Sequence, residues 1–208
     1  VAIFLDGIIR HTAVIPFGGN IITKDIKTGL SILEKQAELL KVKFGSAMHT
    51  SDQDNVMVSI PGLRGRDPKE ISIKNLAEII GARMKEIIDL VYHEIKVSGF
   101  ENKLMTGIVL TGGGSQLRAL TQLVSYITGK DVRVGLPNEH LGKESHGKVT
   151  SPMYSTGVGL VLKGFEDLKA MNVGKEVAEK DPEIHKVGGG ILGRLKELLT
   201  EFFEEDVT

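Results

Sequence analysis

The 208-residue sequence contains no cysteine and no tryptophan, and only 5% of its residues are aromatic. Without cysteine, the chain cannot form a disulfide or a thiolate metal site, and its composition suits a reducing compartment. It also lacks any run of about eighteen uninterrupted apolar residues, the length that a membrane-spanning helix needs. The apolar residues 1–5 are too few to form the core of a signal peptide.

The sequence also lacks an excess of either charge, since 26 lysines and arginines face 27 acidic residues and give a net charge of −1. This balance provides no electrostatic footprint for nucleic acid, which is therefore not an expected partner. The six histidines show no paired metal-ligand spacing, and no nucleophile elbow, P-loop or dinucleotide-binding glycine pattern is present. We therefore predict no metal ligands and no catalytic residues in this chain.

Strand-like and helix-like patterns alternate along the chain and predict an α/β fold. Residues 1–5 form an apolar strand, Asp6-Gly7 is a two-residue hairpin signal, and residues 8–15 are the expected return strand. A chain that opens within a sheet leads us to expect further strands upstream. Helices are predicted at about 22–33, 34–44, 74–97, 116–127 and 154–165, a strand pair at 56–60 and 70–73, and short strands at 107–111 and 131–135.

The strand at 107–111 ends in three consecutive glycines, Gly112, Gly113 and Gly114. A strand, a glycine turn and a helix together allow a flat or anionic ligand to approach bare backbone N–H groups. A sharp turn from a strand into a helix also uses glycine, without any ligand. From the residues alone, both interpretations stay open.

Two pairs of charged residues are candidates for binding. Glu38 and Lys41 lie three positions apart on one face of a predicted helix, where a carboxylate and an ammonium can hydrogen-bond a ribose diol from both sides. Arg83 and Glu86 have the same spacing and can frame a peptide-binding groove. The alternative for both pairs is an ordinary surface ion pair, which contributes little to stability.

The composition changes near residue 166. Residues 166–190 are charged, end in three glycines and predict a flexible linker. Residues 191–208 then predict an amphipathic helix. Because this segment has five acidic residues and only two basic ones, insertion into a membrane surface and docking onto a protein groove both remain open. The apolar face of this helix comprises Ile191, Leu192, Leu195, Leu198, Leu199, Phe202 and Phe203.

Taken in order, these pieces resemble the FtsA family of bacterial cell-division proteins, within the actin-like ATPase superfamily. The resemblance covers essentially the whole chain. It is specific because the motifs occur in the order typical of the family and are followed by a linker and a tail helix. The motifs that carry it are residues 10–26, 37–45, 76–83, 107–113 and 154–160.

The resemblance implies the second lobe of an actin-like ATPase, with a mixed sheet, flanking helices and a smaller inserted α+β subdomain. Residues 1–17 and 103–165 would form subdomain 2A, and residues 18–102 the inserted subdomain 2B. It also implies an ATP site with Mg²⁺ in the intact protein, where this chain supplies the nucleoside side and by itself hydrolyses little or no ATP. The residues implied to contact the nucleotide are Gly19, Asn20, Glu38, Lys41, Gly112, Gly113 and Gly114.

The same resemblance implies three kinds of partner. Arg83 and Glu86 fall where 2B would receive the carboxy-terminal peptide of the tubulin-like protein FtsZ. The family would also self-associate into actin-like filaments, and the tail would hold it to the cytoplasmic face of the cell membrane at the division site. The competing interpretations are a pilus-assembly or other filament protein of the same fold, and a sugar kinase of the same superfamily.

Overall fold

The computed structural model describes residues 1–51, 54–62, 67–139, 141 and 149–180. Helices and strands alternate along this part of the chain, as the α/β prediction requires. The elements are β1 (Ala2–Leu5), β2 (Ile8–Thr12), α1 (Gly19–Leu30), α2 (Glu34–Phe44), β3 (Met57–Ile60), β4 (Lys69–Ser72), α3 (Ile73–Val97), β5 (Ile108–Leu110), α4 (Leu120–Thr128), β6 (Val132–Val134) and α5 (Ser155–Lys180).

The β1–β2 hairpin forms at the predicted turn. Asp6 and Gly7 both have positive φ angles, 54° and 74°, and a two-residue loop with this backbone matches the natural twist of the flanking strands. Leu5 pairs with Ile8 and Ala2 with Thr12, so the return strand is shorter than predicted.

The strands pair in both orientations. Within the described residues, β1–β2 and β3–β4 are antiparallel and β5–β6 is parallel, as three two-stranded sheets. A parallel pair needs a long connection, and here α4 provides it between β5 and β6.

The first hydrophobic core lies among α1, α2, α3 and the β3–β4 pair. Helix α1 buries Ile22, Ile26 and Leu30, whose spacing of four residues places them on one helix face. Gly29 brings α1 close to α3, since a Cβ at that position would lie 2.9 Å from Cδ1 of Ile79. The last turn of α1 is therefore packed closely on α3.

A second core forms between the later part of α3 and α4, with Ala47, Ile88, Leu120, Leu123 and Val124 buried. Because α3 contributes to both cores, it is the element they share. All of the buried residues in the first core fall within the predicted subdomain 2B, although the bounds of 2A and 2B remain a prediction.

Two predicted element boundaries differ from the structure. The helix expected at 116–127 begins only at Leu120, because Leu117 is extended and Ala119 adopts a left-handed backbone with φ of 56°. Helix α5 runs from Ser155 to Lys180. Residues 166–180, which fall within the predicted linker, continue this helix.

The chain divides into two units, with the division between Gly159 and Leu160. The remainder of the predicted linker and the whole predicted tail helix, 191–208, lie outside the described residues. Among the helices that the structure describes, none is both long and apolar enough to cross a bilayer.

Candidate functional site

Glu38 and Lys41 lie in a polar cluster between the first turn of α1 and the middle of α2. Nζ of Lys41 lies 2.7 Å from Oε2 of Glu38 and donates hydrogen bonds to Oγ1 of Thr23 at 2.8 Å and to the carbonyl of Gly19 at 3.0 Å. The hydroxyl of Thr23 in turn donates to Oε2 of Glu38 at 2.5 Å. Glu38 and Lys41 are thus brought together as predicted, with Thr23 and the Gly19 carbonyl as additional members.

The N–H donors of the Lys41 ammonium are all directed to acceptors within the protein. An ammonium group has three N–H donors, and the three contacts to Gly19, Thr23 and Glu38 match that number. The side chain of Lys41 is 14% exposed, whereas that of Glu38 is 48% exposed. In this arrangement, Glu38 is the member of the pair that is more open to solvent.

The surroundings of Glu38 favour its ionised form. Partial burial would raise the pKa of this carboxyl, but hydrogen bonds from Lys41 and Thr23 and the charge of Lys41 together lower the pKa below its ordinary value. Both recorded contacts fall on Oε2, so the lone pairs of Oε1 remain available to hydroxyl donors. A charged acceptor of this kind suits a sugar diol.

Thr23 is the member of this polar cluster that sequence reasoning missed. It is only 4% exposed and lies on the buried side of α1 beside Ile22 and Ile26, so its position is that of a core residue. A polar residue on an otherwise apolar helix face was the available signal, since a buried hydroxyl needs a partner.

The glycine turn is a second candidate ligand surface. Gly112 has a φ of 86°, in the left-handed region that favours glycine, and its N–H donates to the carbonyl of Pro152 at 3.1 Å. Gly113 and Gly114 are exposed, and a Cβ at Gly114 would contact nothing within 4 Å. The turn therefore presents bare backbone to solvent. Met153, 57% exposed, borders it at Gly113.

Backbone contacts connect the two candidate surfaces. The N–H of Ala47, just beyond α2, donates to the carbonyl of Arg118 at 2.8 Å, and the Arg118 guanidinium donates to the carbonyl of Lys43 at 3.1 Å. Gly45 approaches Leu117 closely enough that a Cβ would lie 3.1 Å from Leu117 Cδ1. The end of α2 is thus fixed directly against the chain that follows the glycine turn.

Gly19 and Asn20 form the first turn of α1. No side chain caps this helix start, and no acidic residue lies in its first turn. Gly19 belongs to the polar cluster through its carbonyl, while Asn20 is exposed. Among the described residues, no hydrogen bond joins Gly19 or Asn20 to the glycine turn.

Arg83 and Glu86 belong to a different cluster. The Arg83 guanidinium donates to both carboxylate oxygens of Asp25 on α1, with Nε at 2.5 Å and Nη2 at 3.1 Å, and also donates to Glu86. Hydrogen bonds from Arg83 to Asp25, and then the charges of Asp25 and Glu86, raise the pKa of Arg83 above its ordinary value. Arg83 therefore links α3 to α1, and Glu86 is 53% exposed beside a shallow groove that Ala82, Lys85, Asp89 and Leu90 also line.

No group of three or more histidine, aspartate or glutamate side chains that could hold a metal ion occurs in the described part of the chain. Lys43, near the end of α2, accepts a hydrogen bond from the Arg118 guanidinium through its backbone carbonyl.

Two crystal structures of MreB5 from Spiroplasma citri, one bound to ADP and one to AMPPNP, resemble this fold with TM-scores of 0.61 and 0.62. Identity is only 21% and 20%, the matches cover 83% and 84% of this chain, and each covers 51% of the MreB5 chain. The fold is therefore that of the actin-like proteins.

The particular family follows from sequence. Residues 1–159 match the family model described as cell division protein FtsA. Proteins of that name from Neisseria meningitidis and Pseudomonas aeruginosa are 35% and 36% identical to it over 98% and 94% of this chain. The chain belongs to the FtsA family of cell division proteins, and it spans about half the length of these curated relatives, 48% and 46%.

Proposed function

We propose that this chain supplies the nucleoside side of the ATP site in an actin-like cell-division adaptor. The observation that carries the proposal is the cluster of Thr23, Glu38 and Lys41, which presents an ionised carboxylate on α2, the helix whose end contacts the segment that follows an exposed glycine turn. The MreB5 structures of the same fold contain ADP and AMPPNP, which supports a nucleotide as the ligand.

The residues fit a nucleoside in two places. Oε1 of Glu38 accepts hydrogen bonds from the ribose hydroxyls, while Lys41 keeps the carboxylate charged and in place. The bare backbone of Gly112, Gly113 and Gly114 allows the base to approach closely, and Gly19 and Asn20 border the nucleotide at the first turn of α1. When ATP is bound, its triphosphate and the accompanying Mg²⁺ would be held by the part of the intact protein beyond this chain. By itself, the chain is expected to hydrolyse little or no ATP.

The experiment compares Glu38→Gln with Glu86→Gln in the full-length protein that contains this chain. Each change removes one carboxylate charge from an exposed glutamate that contacts a basic residue, so the second is a matched control. We expect Glu38→Gln to weaken ATP binding by about tenfold or more, the usual effect of losing a charge-assisted hydrogen bond, and Glu86→Gln to leave it unchanged. Equal affinity of both variants for ATP would contradict the ribose assignment.

We further propose that the face of 2B around Arg83 and Glu86 receives the carboxy-terminal peptide of FtsZ. Glu86 and the neighbouring groove residues Lys85 and Asp89 offer charges of both signs around the apolar Leu90. Membership in a cell-division family supports a division partner at this surface. Measuring the affinity of the Arg83→Glu and Arg83→Lys variants for the FtsZ peptide tests this proposal.

The tail completes the proposed adaptor. We propose that the helix predicted at 191–208 inserts its apolar face into the cytoplasmic membrane surface at the division site, while the lobe assembles into actin-like filaments. Co-sedimentation with anionic liposomes compares Phe202→Glu, on the apolar face, with Thr200→Glu, off it. Loss of binding in the first variant alone supports insertion, and equal binding by both would contradict it.

A further inference from the structure

We infer that Thr23 is a positioning residue for ribose recognition, acting through Glu38 together with Lys41. The inference rests on the proposed function and extends it to a buried residue that does not itself touch the nucleotide. Its basis is the connectivity of the polar cluster: the hydroxyl of Thr23 accepts from Nζ of Lys41 and donates to Oε2 of Glu38.

The first step of the argument is that Thr23 and Lys41 hold the same carboxylate oxygen. The hydroxyl lies 2.5 Å and the ammonium 2.7 Å from Oε2 of Glu38. A glutamate side chain that is half exposed has several accessible rotamers, and two donors on one oxygen select the rotamer that reaches both. Because both oxygens belong to one planar carboxylate, selecting this rotamer also sets the direction in which Oε1 points.

The second step is that Thr23 also helps to position Lys41. Its ammonium also contacts the Gly19 carbonyl, and its own position depends on the acceptor oxygen of Thr23. Thr23 is 4% exposed and lies on α1 between Ile22 and Ile26 of the first core, so it is the most buried member of the cluster. Thr23, which is held by the core, thus positions Lys41, and Thr23 and Lys41 together position Glu38.

The third step is that the hydroxyl, rather than the bulk of Thr23, carries the role. Valine has nearly the same shape and is compatible with the buried site, but it neither donates nor accepts. Serine keeps the hydroxyl and loses only a methyl group. Thr23→Val and Thr23→Ser therefore separate hydrogen bonding from packing.

The test measures binding of ATP and of 2′,3′-dideoxy-ATP, which lacks both ribose hydroxyls, to the full-length protein and its variants. We expect wild type and Thr23→Ser to prefer ATP, and Thr23→Val to lose roughly three- to tenfold of that preference, the effect of one misplaced hydrogen bond. Affinity for dideoxy-ATP should stay the same in all three proteins, a result that general damage to the fold would not give.

Lys41→Met provides a second variant in case Thr23→Val unfolds, and it should reduce the same preference. If wild type itself binds ATP and dideoxy-ATP equally, the proposed ribose contact is wrong and this inference falls with it. If wild type discriminates but Thr23→Val and Lys41→Met discriminate equally well, the ribose contact stands and the positioning role is overturned.

Discussion

Helix α1 carries two charged clusters that differ in how they use an acidic side chain. At its first turn, Thr23 and Lys41 hold one oxygen of Glu38 and leave the other to solvent. Further along α1, both oxygens of Asp25 accept from the guanidinium of Arg83. The first arrangement leaves a charged acceptor open to solvent, whereas the second joins two helices.

The difference follows from the chemistry of the two cations. A lysine ammonium is a compact group whose three donors point to separate acceptors, so it can be satisfied by a hydroxyl, a carbonyl and a single carboxylate oxygen. An arginine guanidinium is a planar fork that matches both oxygens of a carboxylate. Lys41 therefore leaves Glu38 partly free, and Arg83 fully occupies Asp25.

The largest expected effect comes from reversing the charge of the second cluster. Arg83→Glu would place a third carboxylate beside Asp25 and Glu86, which repel it. We expect the melting temperature of the full-length protein to fall and its affinity for the FtsZ carboxy-terminal peptide to drop about tenfold or more. ATP affinity should stay unchanged, because the first cluster does not involve Arg83.

Arg83→Lys is the control for that charge reversal, since it keeps the charge and loses the forked contact. It should bind the peptide more tightly than Arg83→Glu does. Unchanged peptide binding in Arg83→Glu would remove this face of 2B as the proposed docking surface.

An effect of intermediate size on the stability of the protein is expected when the pH is lowered. Because the pKa of Glu38 is lowered in the folded protein, its contribution to stability is present above the ordinary value near 4.5 and is lost as pH falls through the lowered value. The half-exposed carboxylate limits that contribution to about 1 kcal/mol or less. The melting temperatures of wild type and Glu38→Gln, measured from pH 7 to pH 3.5, should therefore converge on the acidic side, and a constant gap would contradict the ionised state of Glu38.

The smallest effect is expected at an exposed pair on α3. Lys85 and Asp89 are 66% and 52% exposed and 3.5 Å apart, so solvent screens their attraction. Lys85→Gln should change the free energy of unfolding by no more than about 0.5 kcal/mol, as measured by urea denaturation. A larger loss would mean that exposure does not explain the difference between this pair and the two clusters.

Local patterns predicted much of the fold. The apolar periodicity located α3, at whose start the hydroxyl of Ser72 accepts a hydrogen bond from the Asn75 N–H at 3.4 Å. The Asp6-Gly7 pair located the hairpin. The late start of α4 was not predictable, because Ala119 takes a left-handed backbone that glycine usually signals. The extension of α5 was missed because residues 166–180 have no helical periodicity of apolar residues.

For the candidate site, sequence located the groups but not their connections. Spacing on one helix predicted that Glu38 and Lys41 meet, since both lie on α2. Arg83 and Asp25 are 58 positions apart and meet only because α1 packs on α3. The Thr23 hydroxyl likewise reaches Glu38 across a helix pair, and such contacts depend on tertiary packing that no local pattern contains.

The most direct test of the central claim is a crystal structure of the full-length protein with ATP bound. We predict a ribose hydroxyl within about 3 Å of Oε1 of Glu38, with Thr23 and Lys41 still on Oε2. A ribose lying beyond hydrogen-bond distance of Glu38, with the base away from Gly112, Gly113 and Gly114, would contradict the assignment of this surface as the nucleoside site.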